Sequence, residues 1–151
     1  MSNKNPSPLV LEAIAQLQRL SDVFTRRRAE LARRVGLSEQ QWRVMEEIAT
    51  EHFMPSMFAN TRDSSPAAVS KVLRQLLDKG LIASSVSASD GRKRKYELTD
   101  AGQQCMRELR AHRNRAIDGI WQPIPAQDLK QFNSFAQTLI ERIERFTDDE
   151  K

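Results

Sequence analysis

The sequence holds one cysteine, Cys105, so no disulfide can close within the chain and no thiolate-rich zinc site can be built. Its two histidines, His52 and His112, stand in no Asp/Glu/His cluster at ligand spacing, so no metal is expected. Five glycines leave no Gly-rich loop to cradle a phosphate. Ser/His/Asp, Cys/His and paired-carboxylate arrangements are missing too, so neither a catalytic site nor a cofactor is expected. No stretch of about 18 apolar residues offers a membrane span. The opening MSNKNPSP is polar and Pro-rich rather than an apolar leader, so the expectation is a cytoplasmic protein without a membrane partner. Aromatics are only 6 % while charged residues are 29 %, a profile of helices with much exposed surface.

What is present is charge in clusters. The formal net charge of +4 is too small by itself to imply a nucleic-acid partner, so its placement matters more. Residues 64–102 concentrate the signal. Ser65, or Asp63 just upstream, can cap a helix that begins near Pro66, whose fixed φ and missing N–H suit the first helical position. Val69, Val72, Leu73, Leu76 and Leu77 recur at helical spacing as one buried face, with Ala67, Ser70, Lys71 and Arg74 off it. Gly80 ends the helix, because glycine takes the left-handed conformation there without penalty. A first strand over about 82–87 leads to the turn Ser89-Asp90-Gly91, the cations Arg92-Lys93-Arg94-Lys95, and a second strand in which Tyr96 and Leu98 alternate with Lys95 and Glu97. A helix with a small and cationic outer edge, followed by a cationic hairpin, is the arrangement by which a winged helix meets DNA.

The rest of the chain reads as helices. Residues 1–8 are expected as a flexible arm. A long helix over about 9–35 carries Val10, Ile14, Leu17, Leu20 or Ser21, Phe24, Leu31 and Val35 on one stripe, with Arg26-Arg27-Arg28 and Arg33-Arg34 read as a solvated face, against contact with DNA phosphates or a small acidic ligand. After Gly36, Ser38 and Gln41 form a capping box for a helix whose apolar face is Trp42, Met45, Ile48 and Ala49. A short helix over about 57–61 then precedes the reading helix. Thr99 caps a helix extending to about Trp121, and a last helix spans about 126–146 with Leu129, Phe132, Leu139, Ile140, Ile143 and Phe146 on its stripe. The terminal helices carry more apolar surface than a DNA-binding module needs, which suggests pairing of two copies. A twofold homodimer would set two reading modules about one DNA turn apart on a palindromic operator.

The chain resembles the MarR family of bacterial winged-helix regulators. The resemblance is carried by Gly36-Leu37-Ser38, Trp42-Arg43-Val44, the run Val69 to Leu76, Lys79-Gly80-Leu81-Ile82, Asp90-Gly91-Arg92 and Leu98-Thr99-Asp100-Ala101-Gly102. It departs at Thr61-Arg62-Asp63, where relatives often place an apolar residue and a glycine. The run from Leu37 to Val44, with Pro66, is similar to the subgroup controlling hydroxyphenylacetate breakdown. The resemblance implies a mainly α fold with a small β-wing. The winged helix-turn-helix lobe would cover 36–102, with dimerisation helices at 9–35 and 103–147 in one unit. It also implies a repressor of transcription that a small aromatic or phenolic ligand releases from DNA.

The DNA-binding candidates are Ser65, Pro66, Ala67, Ser70, Lys71 and Arg74 on the helix and Arg92, Lys93 and Arg94 in the wing. Small residues allow the backbone close to the major groove, and Lys71 and Arg74 have the reach for guanine edges or phosphates. By the resemblance, Arg92 enters the minor groove, where a narrow groove concentrates negative potential. Asp90 would orient a neighbouring arginine or close the turn, while Lys93 to Lys95 serve phosphates, about half of them facing the duplex by strand alternation. Trp42 and Arg43 are the ligand candidates, against the reading of Trp42 as a core anchor with Arg43 exposed. Cys105 is read as packing, since free cysteine is usually buried. Two other readings stand beside the regulator: a non-specific architectural DNA-binding protein and a helical protein-interaction module.

Overall fold

The computed structural model describes residues 5–50, 65–86 and 91–151. Its elements are α1 (Pro8–Arg34), α2 (Glu39–Thr50), α3 (Pro66–Asp78), β1 (Ile82–Val86), β2 (Arg94–Leu98), α4 (Asp100–Ala116), a π-helical turn (Ile117–Trp121) and α5 (Ala126–Asp149). The architecture is mainly helical with one small antiparallel sheet. The short helix expected near 57–61, the Thr61-Arg62-Asp63 turn, His52 and Asp90 lie outside the described residues. The chain divides into two compact units, Met1–Arg110 and Ala111–Lys151.

Within the first unit, local chemistry fixes where each helix begins and ends. Ser7 Oγ accepts from the Val10 N–H at 3.3 Å, so α1 starts at Pro8. Pro8 therefore belongs to the helix rather than to the arm, because the first helical position tolerates proline. Gly36, at φ +75°, closes α1: its N–H donates to the Arg33 carbonyl and the Leu37 N–H to the Ala32 carbonyl, a Schellman motif. Ser38 and Gln41 complete the capping box in both directions. Gln41 N–H donates to Ser38 Oγ at 3.1 Å and Ser38 N–H to Gln41 Oε1 at 3.0 Å. For α3, Ser65 Oγ accepts from the Ala68 N–H at 3.1 Å, and Gly80, at φ +71°, makes the second Schellman pair through Leu77 and Leu76.

The core of this unit joins Leu31, Ala32, Leu37, Trp42, Val44, Met45, Ile48, Val69, Val72, Leu73, Leu76, Leu81, Ile82, Tyr96, Met106 and Leu109. In α2, Trp42, Met45 and Ile48 are buried as expected and Val44 joins them, while Ala49 is exposed. In α4, Gly102, Met106 and Leu109 point inward while Ala101 faces out. The reason in α4 is close backbone approach: a Cβ on Gly102 would run into the Leu81 carbonyl. Leu77 is half-buried, at the edge of the α3 face.

The strands pair in the register Ile82↔Leu98, Ser84↔Tyr96 and Val86↔Arg94. Their base is tied to the end of α3. Thr99 N–H donates to the Leu81 carbonyl at 3.1 Å, and Thr99 Oγ1 donates to the Gly80 carbonyl at 2.6 Å. The same hydroxyl oxygen accepts from the Gly102 N–H at 3.2 Å and so caps α4.

Most of α1 does not enter this core; Leu31 and Ala32 are its buried residues. Leu9, Val10, Leu11, Ile14, Leu17, Leu20, Val23 and Phe24 are all exposed, Leu9 at 76 %. In the second unit, α4 passes into a π turn where the Gln122 N–H reaches the Ile117 carbonyl, just before Pro123. Helix α5 runs three residues further than expected, to Asp149. Along it, Leu129, Phe132, Ala136, Leu139, Ile143 and Phe146 alternate at spacings of three and four, the narrow seam of a coiled coil. Phe146 is 65 % exposed. Among the described residues no helix is long and apolar enough to cross a membrane.

The Gly102 contact is testable. Gly102→Ala should destabilise the protein by about 1–3 kcal/mol, the usual cost of overpacking, and a denaturant melt should show it. An unchanged midpoint would mean that α4 does not press on the Leu81 backbone.

Candidate nucleic-acid interface

Helix α3 buries Val69, Val72, Leu73 and Leu76 and is otherwise open. Successive residues turn by about 100°, which sets Ala67, Ser70, Lys71 and Arg74 within an arc of about 100° opposite the buried face. All four are exposed, as are Ser65 and Pro66 at the helix front. From Ala67 to Arg74 the arc carries nothing larger than a hydroxymethyl group except two cations. Asp78 falls on the same arc one turn beyond Arg74, so the cationic part ends there. Four of the six helix candidates therefore share one outward surface, and Ser65 and Pro66 stand exposed at the helix front beside it.

The wing presents the other three. Arg92, Lys93 and Arg94 are exposed, between the sheet and residues outside the description. Alternation then splits the strand residues. Arg94 lies on the side of the sheet shared by the buried Tyr96, opposite Val86, while Lys95 and Glu97 lie on the other side. Lys95 Nζ sits 2.7 Å from Glu97 Oε1 and is already neutralised. The basic run alone does not reveal this pair.

The ligand candidates sit on α2. Trp42 is 6 % exposed and packs in the core. Arg28 of α1 stacks over its ring, with the guanidinium carbon 4.3 Å from the ring centroid. Arg28 also reaches Glu39 (3.1 Å) and Glu46 (3.4 Å). It is therefore not one more solvated arginine of the Arg26-Arg27-Arg28 run but the side chain that pins α1 onto α2. No sequence signal marks it, since its partners lie 11 to 18 residues away (39 − 28 and 46 − 28). Arg43 is only half-exposed, with Nη2 at 4.0 Å from Glu39 Oε1. Among the described residues, Trp42 Nε1 and Arg43 Nε are buried donors with no acceptor. Such a group costs about 1–3 kcal/mol while unpaired.

Cys105 is partly buried against the core, its Sγ 3.9 Å from the Val35 carbonyl oxygen. Burial and the nearby Glu108 push its thiol above the ordinary range, with Lys79 opposing. A raised thiol holds little thiolate, the reactive form, which agrees with packing rather than chemistry. Among the described residues, no three His, Cys, Asp or Glu side chains gather as a metal site.

No protein-family model matches the chain, and the comparison with curated proteins found no match. Solved structures are. A MarR family transcription regulator shares its fold at a TM-score of 0.81 and 16 % identity, over 92 % of this chain and 93 % of that one. A single-residue mutant of MepR from S. aureus, bound to an oligodeoxyribonucleotide, matches at TM-score 0.62 and 14 % identity, over 87 % and 97 % of the two chains. CouR from Rhodococcus jostii RHA1, bound to p-coumaroyl-CoA, matches at 0.65 and 18 %, over 82 % and 88 %. The chain thus has the winged-helix fold of MarR family regulators.

The wing geometry separates two neighbouring cations. If the wing meets phosphates, Arg94→Ala should flatten the salt dependence of DNA binding by about one unit of slope, whereas Lys95→Ala should leave it nearly unchanged. Binding titrations across a salt series give both slopes. Equal losses would show that Glu97 does not hold Lys95.

Proposed function

We propose that this chain is a member of the MarR family and works as a homodimeric, sequence-specific DNA-binding regulator of transcription in the cytoplasm. The observation that carries this reading is the outward arc of α3, small at its front and cationic behind, followed by a wing with three exposed cations. The major groove admits a helix whose front lies close to the base edges. Ala67 and Ser70 allow that approach, Lys71 and Arg74 take guanine edges or phosphates, and Arg92 takes the minor groove. The DNA-bound neighbour supports the same use of the fold.

The exposed apolar stripes of α1 and α5 support the dimer. A second copy covering them removes from water the largest apolar surfaces that each unit presents. A twofold pair of α3 helices then matches a palindromic operator. Repression follows from occupancy of such a site.

The effector in this reading is a small aromatic or phenolic acid at Trp42 and Arg43. Both side chains hold a buried donor in want of an acceptor, and a carboxylate or phenolate supplies one. The CoA-thioester-bound neighbour supports ligand binding on this fold.

The regulator should bind its operator about a thousandfold or more tightly than random DNA at physiological salt. Arg92→Ala and Lys71→Ala should each weaken operator binding about tenfold or more, with the dimer intact by sedimentation. Equal affinity for both DNAs would point to architectural binding. Full affinity in Arg92→Ala would remove that residue from the site.

A further inference from the structure

One buried polar side chain gathers three helix ends. Gln41, 7 % exposed, is the only buried polar residue of the described chain. Its Oε1 accepts from the Ser38 N–H at the start of α2 (3.0 Å) and from Lys79 Nζ at the end of α3 (2.9 Å). Its amide nitrogen donates to Gln75 Oε1, one turn inside α3, at 3.0 Å. Lys79 Nζ also donates to the carbonyl of Gly36, the residue that closes α1, at 2.7 Å. The ammonium thus sits where the C-terminal ends of α1 and α3 converge, and both dipoles favour a cation there. The carboxamide suits this place because it both accepts, from the Ser38 N–H and Lys79, and donates, to the Gln75 side chain.

We infer that Gln41 and Lys79 are positioning residues for DNA reading: they set the angle of α3 on α1 and α2 without touching the duplex. The inference rests on the DNA-reading role of α3 proposed above. The lock holds the rear of the helix, at Gln75 and Lys79, while the reading residues start at its front. Helix α3 has 13 residues. At about 1.5 Å per residue it is about 20 Å long, so a tilt of about 10° at the rear moves the front by about 3 Å, a hydrogen-bond length. Apolar packing alone tolerates such a tilt better than directional hydrogen bonds do, since the hydrophobic effect has no direction. The network therefore contributes orientation where the core contributes attachment.

The test compares Gln41→Met, which keeps length and removes the polar end, with Gln41→Glu, which keeps the acceptor for Lys79 and Ser38. Lys79→Met, at an exposed position, covers the case in which Gln41→Met does not fold. Gln41→Met and Lys79→Met should each lower operator affinity by about tenfold, the size of one lost base contact, while affinity for random DNA of the same length changes less than about twofold. Gln41→Glu should restore the ratio. Mere destabilisation would lower both affinities together. A second readout needs no DNA: spin labels at Glu47→Cys and Ala68→Cys, in a Cys105→Ser chain diluted with unlabelled protein, report the distance from α2 to the front of α3. Gln41→Met should broaden or shift that distance, and Gln41→Glu should return it. A wild type that selects its operator, with both ratio and distance unmoved in the two Met variants, overturns the lock and leaves the DNA reading standing. A distance that moves in a protein showing no DNA selectivity supports the lock and overturns the reading.

Discussion

Helix α3 is held by one face only, and the reading proposed for it depends on that constraint. Four apolar side chains of α3, Val69, Val72, Leu73 and Leu76, bury against the unit and leave the opposite face free. Each buried aliphatic side chain contributes about 1.5–3 kcal/mol, so the attachment rests on a few contacts and no large group is needed outside. Everything nearby serves to keep that helix in register. Ser65 and Gly80 define its two ends, Thr99 ties its exit to the base of the sheet, and Gln41 with Lys79 ties its rear to α1 and α2.

The same economy leaves a surplus of apolar surface. The first unit draws on only the last turns of α1, and the first two-thirds of that helix carry aliphatic side chains into solvent. Helix α5, taken by itself, buries none of its residues fully and carries a coiled-coil seam along its length. Such surfaces are costly for a lone chain in water, and the pairing of two copies proposed above would cover them. Under that proposal the surface that pairs two chains would also set how far apart two α3 helices stand.

The parts of the fold legible in the sequence are those written in local chemistry. Caps at Ser38, Ser65 and Thr99, and stops at Gly36 and Gly80, act over three to six residues. Each is found in the structure with the partners that such spacing demands. The outward arc of α3 was equally readable, because helical periodicity alone sorts its residues into two faces. What escaped is chemistry between distant residues. Arg28 stacking on Trp42, and Lys79 reaching Gly36 across 43 residues, leave no trace in spacing. In α2, Ala49 is as apolar in sequence as Val44, and only packing decides that Val44 is the buried one. The π turn at Ile117–Trp121 also interrupts a pattern that reads as one continuous helix.

Selection of bound fragments from a random DNA pool tests the central claim most directly. Two α3 helices held by one dimer should recover an inverted repeat whose half-site centres lie about 10 base pairs apart, one turn of the duplex. Recovery of fragments with no common sequence, or of single unpaired half-sites, would contradict the account.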